Sequence, residues 1–193
     1  MAIKETIQVG HPSLKAVNSE IKDFDSNELK QLIQDLKDTM INKSLIGIAA
    51  PQIAENFKVF ITQPRKTESR SDIITDDLRI YINPKIIYYS SEEVIIYEGC
   101  GCINDIFGPV SRPKEITVEA LDEKGERFQI RTDGILARVI QHEYDHLNGI
   151  EFTQKVCDYT KLMNKEFYIQ DIRNSSPQLE ASKITIKEHR LLK

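Results

Sequence analysis

Gln141-His142-Glu143-Tyr144-Asp145-His146-Leu147-Asn148-Gly149 is the stretch of sequence from which fold and chemistry can be read. It lies within residues 133–148, where apolar side chains recur at helical spacing and predict a helix. Side chains four residues apart project from one face of a helix, so His142 and His146 can bind a single metal ion. Glu143 lies beside that face, in the position of a general base that does not itself coordinate the metal.

The composition is that of one ordinary globular protein, with 193 residues, 40% of them hydrophobic and 29% charged. No apolar run approaches the roughly 18 residues of a membrane-spanning helix, so we expect no membrane partner. A net charge of -4 argues against direct sequence-specific binding of nucleic acid. Three cysteines and a start without a secretory leader predict a reducing, cytoplasmic location.

The remaining pattern predicts an α+β fold, in which antiparallel β-sheets pack around the helix that carries both histidines. A second amphipathic helix is predicted over residues 26–43. The β-rich runs are residues 58–63, 79–90, 93–99, 115–122 and 126–131, the last two joined by a hairpin turn.

Two stretches lie outside this pattern. The charged residues 65–78 predict a solvated surface loop. We divide the chain into a catalytic domain, residues 1–157, and a C-terminal extension, residues 158–193, which contains a third helix over residues 158–172 and a tail of undecided structure.

A hydrolytic metal site usually has three protein ligands, so the two histidines need a companion. Acidic residues would give a site like that of a zinc peptidase, and the candidates are Glu151, Asp158 and Glu166. Residues 98–102 favour Cys100 instead, because its neighbours are two glycines at the end of a predicted strand. An unpaired thiol in a reducing cell also suggests a chemical function such as metal binding.

The other cysteines and histidines have weaker signals. Cys102 is interpreted either as a thiol that supports the site or as simple packing, and Cys157 as a small buried apolar residue. His11 and His189 have no partners at metal-binding spacing, so no role is assigned to them.

A third segment, residues 46–52, combines small residues with a terminal glutamine. Small residues let a substrate backbone lie close, and Gln52 could donate its amide to a developing oxyanion. The same small residues are also consistent with tight packing of this segment in the protein core.

The three segments together resemble the peptide deformylase family. The family motif G-x-G-x-A-A-x-Q corresponds to residues 45–52, E-G-C-x-S to residues 98–102, and Q-H-E-x-D-H-x-x-G to residues 141–149. Their order and spacing agree, and the resemblance extends over residues 7–156.

This resemblance implies a metal-dependent hydrolase that removes the formyl group from the N-terminal methionine of newly made proteins and releases formate. One divalent ion is implied, with Fe²⁺ expected and Zn²⁺, Ni²⁺ or Co²⁺ compatible with the same donors. The implied roles are metal ligation by Cys100, His142 and His146, proton transfer by Glu143, and oxyanion stabilisation by the Gln52 amide and the Gly101 N–H.

The implied substrates are N-formylmethionyl nascent peptides, which makes the ribosome an expected partner. Gly47 would offer backbone hydrogen bonds to an extended peptide. The candidates for an apolar methionine slot, for which core packing is an equal alternative, are Ile46, Ile96, Ile135 and Val139. Glu98 and Arg112 are expected to support the site as an ion pair.

Four features depart from the family pattern. Leu45 stands where the family has a glycine, which should narrow the mouth of the peptide groove or shift its backbone, and Cys102 stands where it has serine. Gly101 replaces a bulky apolar residue, and residues 103–105 lack the usual proline, which predicts a looser loop.

Two other interpretations stay open. One is a general zinc metallopeptidase that keeps the two histidines and Glu143 but takes an acidic third ligand. The other is a non-catalytic relative that keeps a metal for stability or binds formylated peptides without cleaving them. Leu45 and Cys102 are the features that support it.

Overall fold

The backbone forms two antiparallel sheets around one helix, as seen in a computed structural model that describes residues 3–67, 70 and 74–192. Six strands form one sheet in the order β1-β2-β3-β6-β7-β9, and three form the other in the order β4-β5-β8. The strands are β1 Gly47–Ala49, β2 Val59–Thr62, β3 Arg79–Tyr89, β4 Glu93–Cys100, β5 Ile103–Pro113, β6 Ile116–Leu121, β7 Arg127–Thr132, β8 Met163–Asn164 and β9 Ile186–Leu191. The helices are α1 Asn27–Asn42, α2 Gly134–Leu147, α3 Lys165–Phe167 and α4 Ser176–Ala181.

Helix α1 forms where the sequence predicts it. The Ser26 side chain accepts a hydrogen bond from the Leu29 backbone N–H at 3.2 Å and so caps the helix. Most of its apolar stripe, including Leu36 and Met40, is buried against one face of the larger sheet, whereas Ile41 at the end of the helix is exposed. This packing confirms the predicted amphipathic helix.

Helix α2 lies at the centre of the molecule. On one side Leu136 and Ile140 pack into a core with Phe60 and Tyr81 of the larger sheet. On the other side the Arg138 guanidinium bonds backbone carbonyls of β4 and β5. The predicted α+β arrangement, with antiparallel sheets around this helix, is confirmed.

The predicted hairpin of β6 and β7 is also present, with Leu121 opposite Arg127. The Asp122 carboxylate accepts hydrogen bonds from the backbone N–H groups of Lys124 and Glu126, which stabilises the turn. Of the predicted loop over residues 65–78, residues 68–69 and 71–73 lie outside the described residues.

Strand β5 begins where the sequence predicts a looser loop. Ile103 lies opposite Cys100, but the register then shifts so that Phe107 lies opposite Gly99, and the ladder with β4 skips residues 104–106 before it runs on to Pro113. Gly108 and Pro109 interrupt its apolar pattern, which hides the strand in the sequence. The two residues between β4 and β5, Gly101 and Cys102, therefore form a tight turn.

The C-terminal extension differs from the predicted single helix over residues 158–172. A short 3₁₀ turn over Tyr159–Lys161 comes first and β8 follows it. The α-helical turn begins only at Lys165 and continues as a π-helical turn over Tyr168–Ile172. The tail, whose structure the sequence leaves undecided, supplies α4 and β9, and β9 pairs with β7 at the edge of the larger sheet. The division at residues 157 and 158 stays a prediction.

Within the part of the chain that the structure describes, none of the helices is both long and apolar enough to cross a membrane.

Gly134, at the start of α2, provides a test of how tightly the extension is attached to the helix. Its φ is +61°, and a Cβ there would lie 1.9 Å from the Lys183 backbone oxygen. We expect Gly134→Ala to lower the free energy of unfolding by about 1–3 kcal/mol, measured by chemical denaturation. Gly149→Ala is the matched control, since φ is +70° there and the nearest atom is 3.5 Å away. Equal losses in the two variants would contradict this attachment.

Candidate metal centre

Two elements bring the sulfur and the two imidazoles together. Cys100 is the last residue of β4, and His142 and His146 lie one turn apart near the end of α2. One ligand atom from each of the three residues lies within 4.8 Å of the others, and Cys100 Sγ is 3.2 Å from His146 Nε2. Spacing of this kind lets all three bind one ion.

The chemistry of these donors fits a divalent transition metal. The hydrogen bond from the Cys102 side chain and the charge of His146 lower the pKa of the Cys100 thiol well below its ordinary value, against the effect of burial. The thiolate is the form that binds metal, and soft sulfur with imidazole nitrogen suits zinc or ferrous iron. This thiol and the two imidazoles are the residues that could hold the ion.

Glu143 faces the same space with a carboxylate oxygen that has no partner. Its Oε2 is buried, and no hydrogen-bond donor among the described residues reaches it. Burial raises the pKa of this carboxyl to about 7. An orphaned buried oxygen beside three metal donors indicates that the site is built for a group that completes it.

Gly47 makes room for that carboxylate. A Cβ at Gly47 would lie 2.4 Å from Val139 Cγ1 and 2.6 Å from Glu143 Oε1. A side chain at residue 47 would therefore displace the carboxylate, so the motif needs glycine there for close packing.

The orientation of the Gln52 amide is fixed by the backbone. Its Oε1 accepts a hydrogen bond from the Ala49 N–H at 2.7 Å, so the NH₂ group points the other way. Its Nε2 lies 3.5 Å from Cys100 Sγ. The amide thus presents a donor at the edge of the metal site.

A buried network of charges holds the site from behind. The predicted ion pair is present, with Arg112 Nε 2.7 Å from Glu98 Oε1 and Arg112 Nη2 3.0 Å from Glu98 Oε2. Burial opposes ionisation, but the Arg112 charge holds the pKa of Glu98 well below its usual range. Glu98 Oε2 is also 2.9 Å from His142 Nδ1, which orients the imidazole and leaves Nε2 for a metal.

Sequence analysis missed two members of this network. Arg138 Nη1 donates to Glu98 Oε1 at 2.9 Å, and Arg112 Nη1 donates to Asp145 Oδ2 at 2.6 Å. Two signals could have found them: Arg138 precedes His142 by one helical turn, and Asp145 lies inside the histidine motif.

The turn after Cys100 contacts the N-terminal segment and the thiolate. The Gly101 carbonyl accepts hydrogen bonds from the Thr6 hydroxyl and the Gln8 amide, which anchor the turn. The Cys102 N–H points at Cys100 Sγ from 3.4 Å, and its own side chain is fully buried. Cys102 therefore packs and also touches the candidate ligand.

Cys157 is exposed, so its interpretation as a buried apolar residue is wrong. Its thiol donates to the Pro109 carbonyl at 3.3 Å, a contact available at the surface.

The three acidic candidates lie outside the metal-ligand group that the described residues form. Glu151 pairs with Lys15, Asp158 accepts hydrogen bonds from Thr160, and Glu166 is exposed.

A cavity of about 760 Å³ opens beside the metal donors. Of the residues proposed to bind substrate, those that line it are Ile46, Gly47, Ile135 and Val139. Ile96 is buried and lies outside the described lining.

The fold and the donor set agree with a known family. A family model described as polypeptide deformylase matches residues 3–161. The chain belongs to this family. A deformylase of Clostridium perfringens, named peptide deformylase 2, is 39% identical over 165 residues, which are 86% of this chain and 100% of that protein.

Solved deformylase structures have the same fold. A class I type b enzyme from Acinetobacter baumannii, bound to Met-Ala-Ser, superposes with a TM-score of 0.77 at 32% identity, over 80% of this chain and 99% of that one. The deformylase of Thermotoga maritima gives a TM-score of 0.73 at 28% identity, over 82% and 100% of the two chains.

Membership of the deformylase family confirms the main interpretation of the sequence. The chain is a peptide deformylase by family, a metal-dependent hydrolase with a Cys-His-His group. The comparisons support neither the general zinc metallopeptidase nor the non-catalytic alternative.

The two departures from the deformylase motifs at Leu45 and Gly101 are neighbours in space. Both line the cavity, and a Cβ at Gly101 would lie 3.4 Å from Leu45 Cδ1. The family pattern has glycine at residue 45 and a bulky apolar side chain at residue 101. In this chain the bulky side chain is at residue 45 of the first motif and the glycine is at residue 101 of the second, so Leu45 occupies space that Gly101 leaves open.

This exchange predicts a coupling between the two positions. Leu45→Gly should open a void and Gly101→Leu should overpack the same space, each lowering the free energy of unfolding by about 1–3 kcal/mol. The double variant should recover about 1 kcal/mol or more relative to the sum of the single losses. Denaturation of the four proteins measures this coupling, and strictly additive losses would show that the two positions do not share one space.

Proposed function

We propose that this chain hydrolyses the formamide of N-formylmethionyl peptides, giving formate and a free methionine amino group. The observation that carries the proposal is the convergence of Cys100, His142 and His146 beside Glu143, whose buried Oε2 has no hydrogen-bond partner among the described residues. The deformylase structure bound to Met-Ala-Ser supports this substrate class, because that tripeptide is what deformylation of formyl-Met-Ala-Ser would leave.

We assign the metal to Cys100 Sγ and to the imidazoles of His142 and His146. When bound, the ion supplies a Lewis acid that lowers the pKa of water. Fe²⁺ is the proposed native ion, and the same donors suit Zn²⁺, Ni²⁺ and Co²⁺. A thiolate ligand to ferrous iron makes the enzyme sensitive to oxygen, since oxidation of either would end activity.

Glu143 moves the proton. Its carboxylate takes a proton from the attacking water as the new C–O bond forms at the formyl carbon. It then returns that proton to the nitrogen of methionine as the C–N bond breaks. Burial among the cavity walls keeps bulk solvent from competing for this proton.

Two donors are assigned to the developing oxyanion. The Gln52 amide already points its NH₂ group toward the site, and the Gly101 N–H comes from the anchored turn after Cys100. Loss of one well-placed donor of this kind typically costs about 2.7–4 kcal/mol of transition-state stabilisation.

The peptide would bind in the groove between two sheet edges. β1 and β4 are the outer strands of their sheets, and both line the cavity. An extended main chain can pair with such an edge, with Gly47 as one partner. The methionine side chain is assigned to the apolar wall of Ile46, Ile135 and Val139. Nascent chains are the natural source of this substrate, which makes the ribosome a proposed partner and the cytoplasm the proposed location.

Replacement of the thiol tests the ligand set. We expect Cys100→Ser to lose bound metal and to lower kcat/KM by at least about 100-fold, because a neutral hydroxyl is a poor ligand for a soft divalent ion. Cys157→Ser is the matched control and should keep both properties. The measurements are metal content and anaerobic formate release from formyl-Met-Ala-Ser with added Fe²⁺. Unchanged turnover in Cys100→Ser would favour an acidic third ligand.

Glu143→Gln tests the proton-transfer role separately. The amide has the same shape but cannot take a proton, so kcat should fall by about 100-fold or more while metal content stays at the level of the unmodified chain. Single-turnover formate release measures the effect. Retention of more than a tenth of the activity would remove Glu143 from the mechanism.

A further inference from the structure

The outer edge of β4 is partly covered by the chain's own C-terminal extension. In a strand, the backbone N–H and C=O groups that face one edge recur at every second residue. Tyr97 lies opposite Pro109, which has no N–H to offer across the β4–β5 ladder. Tyr97 therefore faces the outer edge, and Gly99, two residues closer to Cys100, faces it as well.

The side chain of Gln178 fills the position of a neighbouring strand at Tyr97. Its Oε1 accepts a hydrogen bond from the Tyr97 N–H at 3.2 Å, and its Nε2 donates to the Tyr97 carbonyl at 3.3 Å. A side-chain amide carries the same donor and acceptor as a peptide group. Gln178 thus makes the two bonds that an added peptide strand would make there.

Several contacts fix α4, which carries Gln178, in this position. At the end of α4 the Ser182 hydroxyl donates to the Gln178 carbonyl at 2.6 Å, and the Ser182 carbonyl attaches this end of α4 to α2 by accepting from the Ile135 N–H at 3.1 Å. Next to it, the Tyr168 ring stacks on Phe107 of β5 with 4.0 Å between ring centroids. The extension is therefore packed onto the groove as part of the fold.

The distance between Tyr97 and Cys100 determines which part of a bound peptide would meet Gln178. Tyr97 precedes Cys100 by three residues, which is roughly 10 Å in an extended strand. A peptide whose first carbonyl lies at the metal donors can pair with Gly99, but its later residues reach the place that Gln178 occupies. The deformylase family match ends at residue 161, so α4 lies beyond the matched region.

We propose that Gln178 determines how much peptide main chain the groove accepts. This inference rests on the proposed deformylase function and adds a specificity-determining residue to it. The groove pairs with the first residues of the substrate, and the chain beyond them leaves the strand edge instead of continuing along β4. Substrate residues from about the third onward then contribute nothing to recognition.

Peptide length is the direct test. For the unmodified chain, kcat/KM should agree within about twofold between formyl-Met-Ala and formyl-Met-Ala-Ser-Ala-Ser. In Gln178→Ala and Gln178→Asn, which remove or shorten the amide, the longer peptide should be favoured about fivefold, as expected for one or two new main-chain hydrogen bonds. Gln170→Ala, an exposed glutamine of the same extension, should keep the ratio of the unmodified chain.

Binding of the unformylated peptides Met-Ala and Met-Ala-Ser-Ala-Ser to the metal-loaded proteins, measured by calorimetry, gives the same length effect without turnover. A length preference that is equal in the unmodified chain and both Gln178 variants overturns this inference and leaves the proposed function intact. Formate release from none of the peptides contradicts the proposed function, while the binding ratios still decide the role of Gln178.

Discussion

The buried charge of Glu98 is the constraint on which the rest of the site depends. A carboxylate taken out of water is costly unless it is paired and hydrogen-bonded. Glu98 meets this requirement by bonding Arg112 of β5 and both Arg138 and His142 of α2. These bonds lock the end of β4 against the helix, and the fixed distance between the two elements places Cys100 beside the histidines.

Much of the site could be predicted from local sequence, because its donors lie in short motifs with fixed spacing. The helical spacing of His142 and His146 and the glycines around Cys100 needed no long-range information. The network behind them was only half predicted, since the partners of Arg138 become visible only when β4, β5 and α2 are packed together. The same limit hid the relation between Leu45 and Gly101, which are far apart in sequence but adjacent at the cavity wall.

Elements with one apolar and one polar face, such as α1 and α2, could be predicted from the sequence. Strands that are stabilised mainly by pairing with a neighbouring strand were harder to predict. β5 contains Gly108 and Pro109 and is a strand because β4 lies beside it. β9 has little apolar pattern and is held by backbone pairing with β7. The extension illustrates the same point, because its position depends on contacts with α2 and β4 rather than on its own helix propensity. Because the extension packs there, the outer edge of β4, one of the two sheet edges that face the cavity, is already partly hydrogen-bonded by Gln178.

X-ray absorption at the metal edge, on protein loaded anaerobically with one equivalent of Fe²⁺, tests the central claim most directly. The account predicts one sulfur scatterer and two imidazole nitrogens around a single ion. A coordination shell of nitrogen and oxygen alone would contradict it, because the thiol at the end of β4 would then not bind the ion that the two histidines of α2 hold.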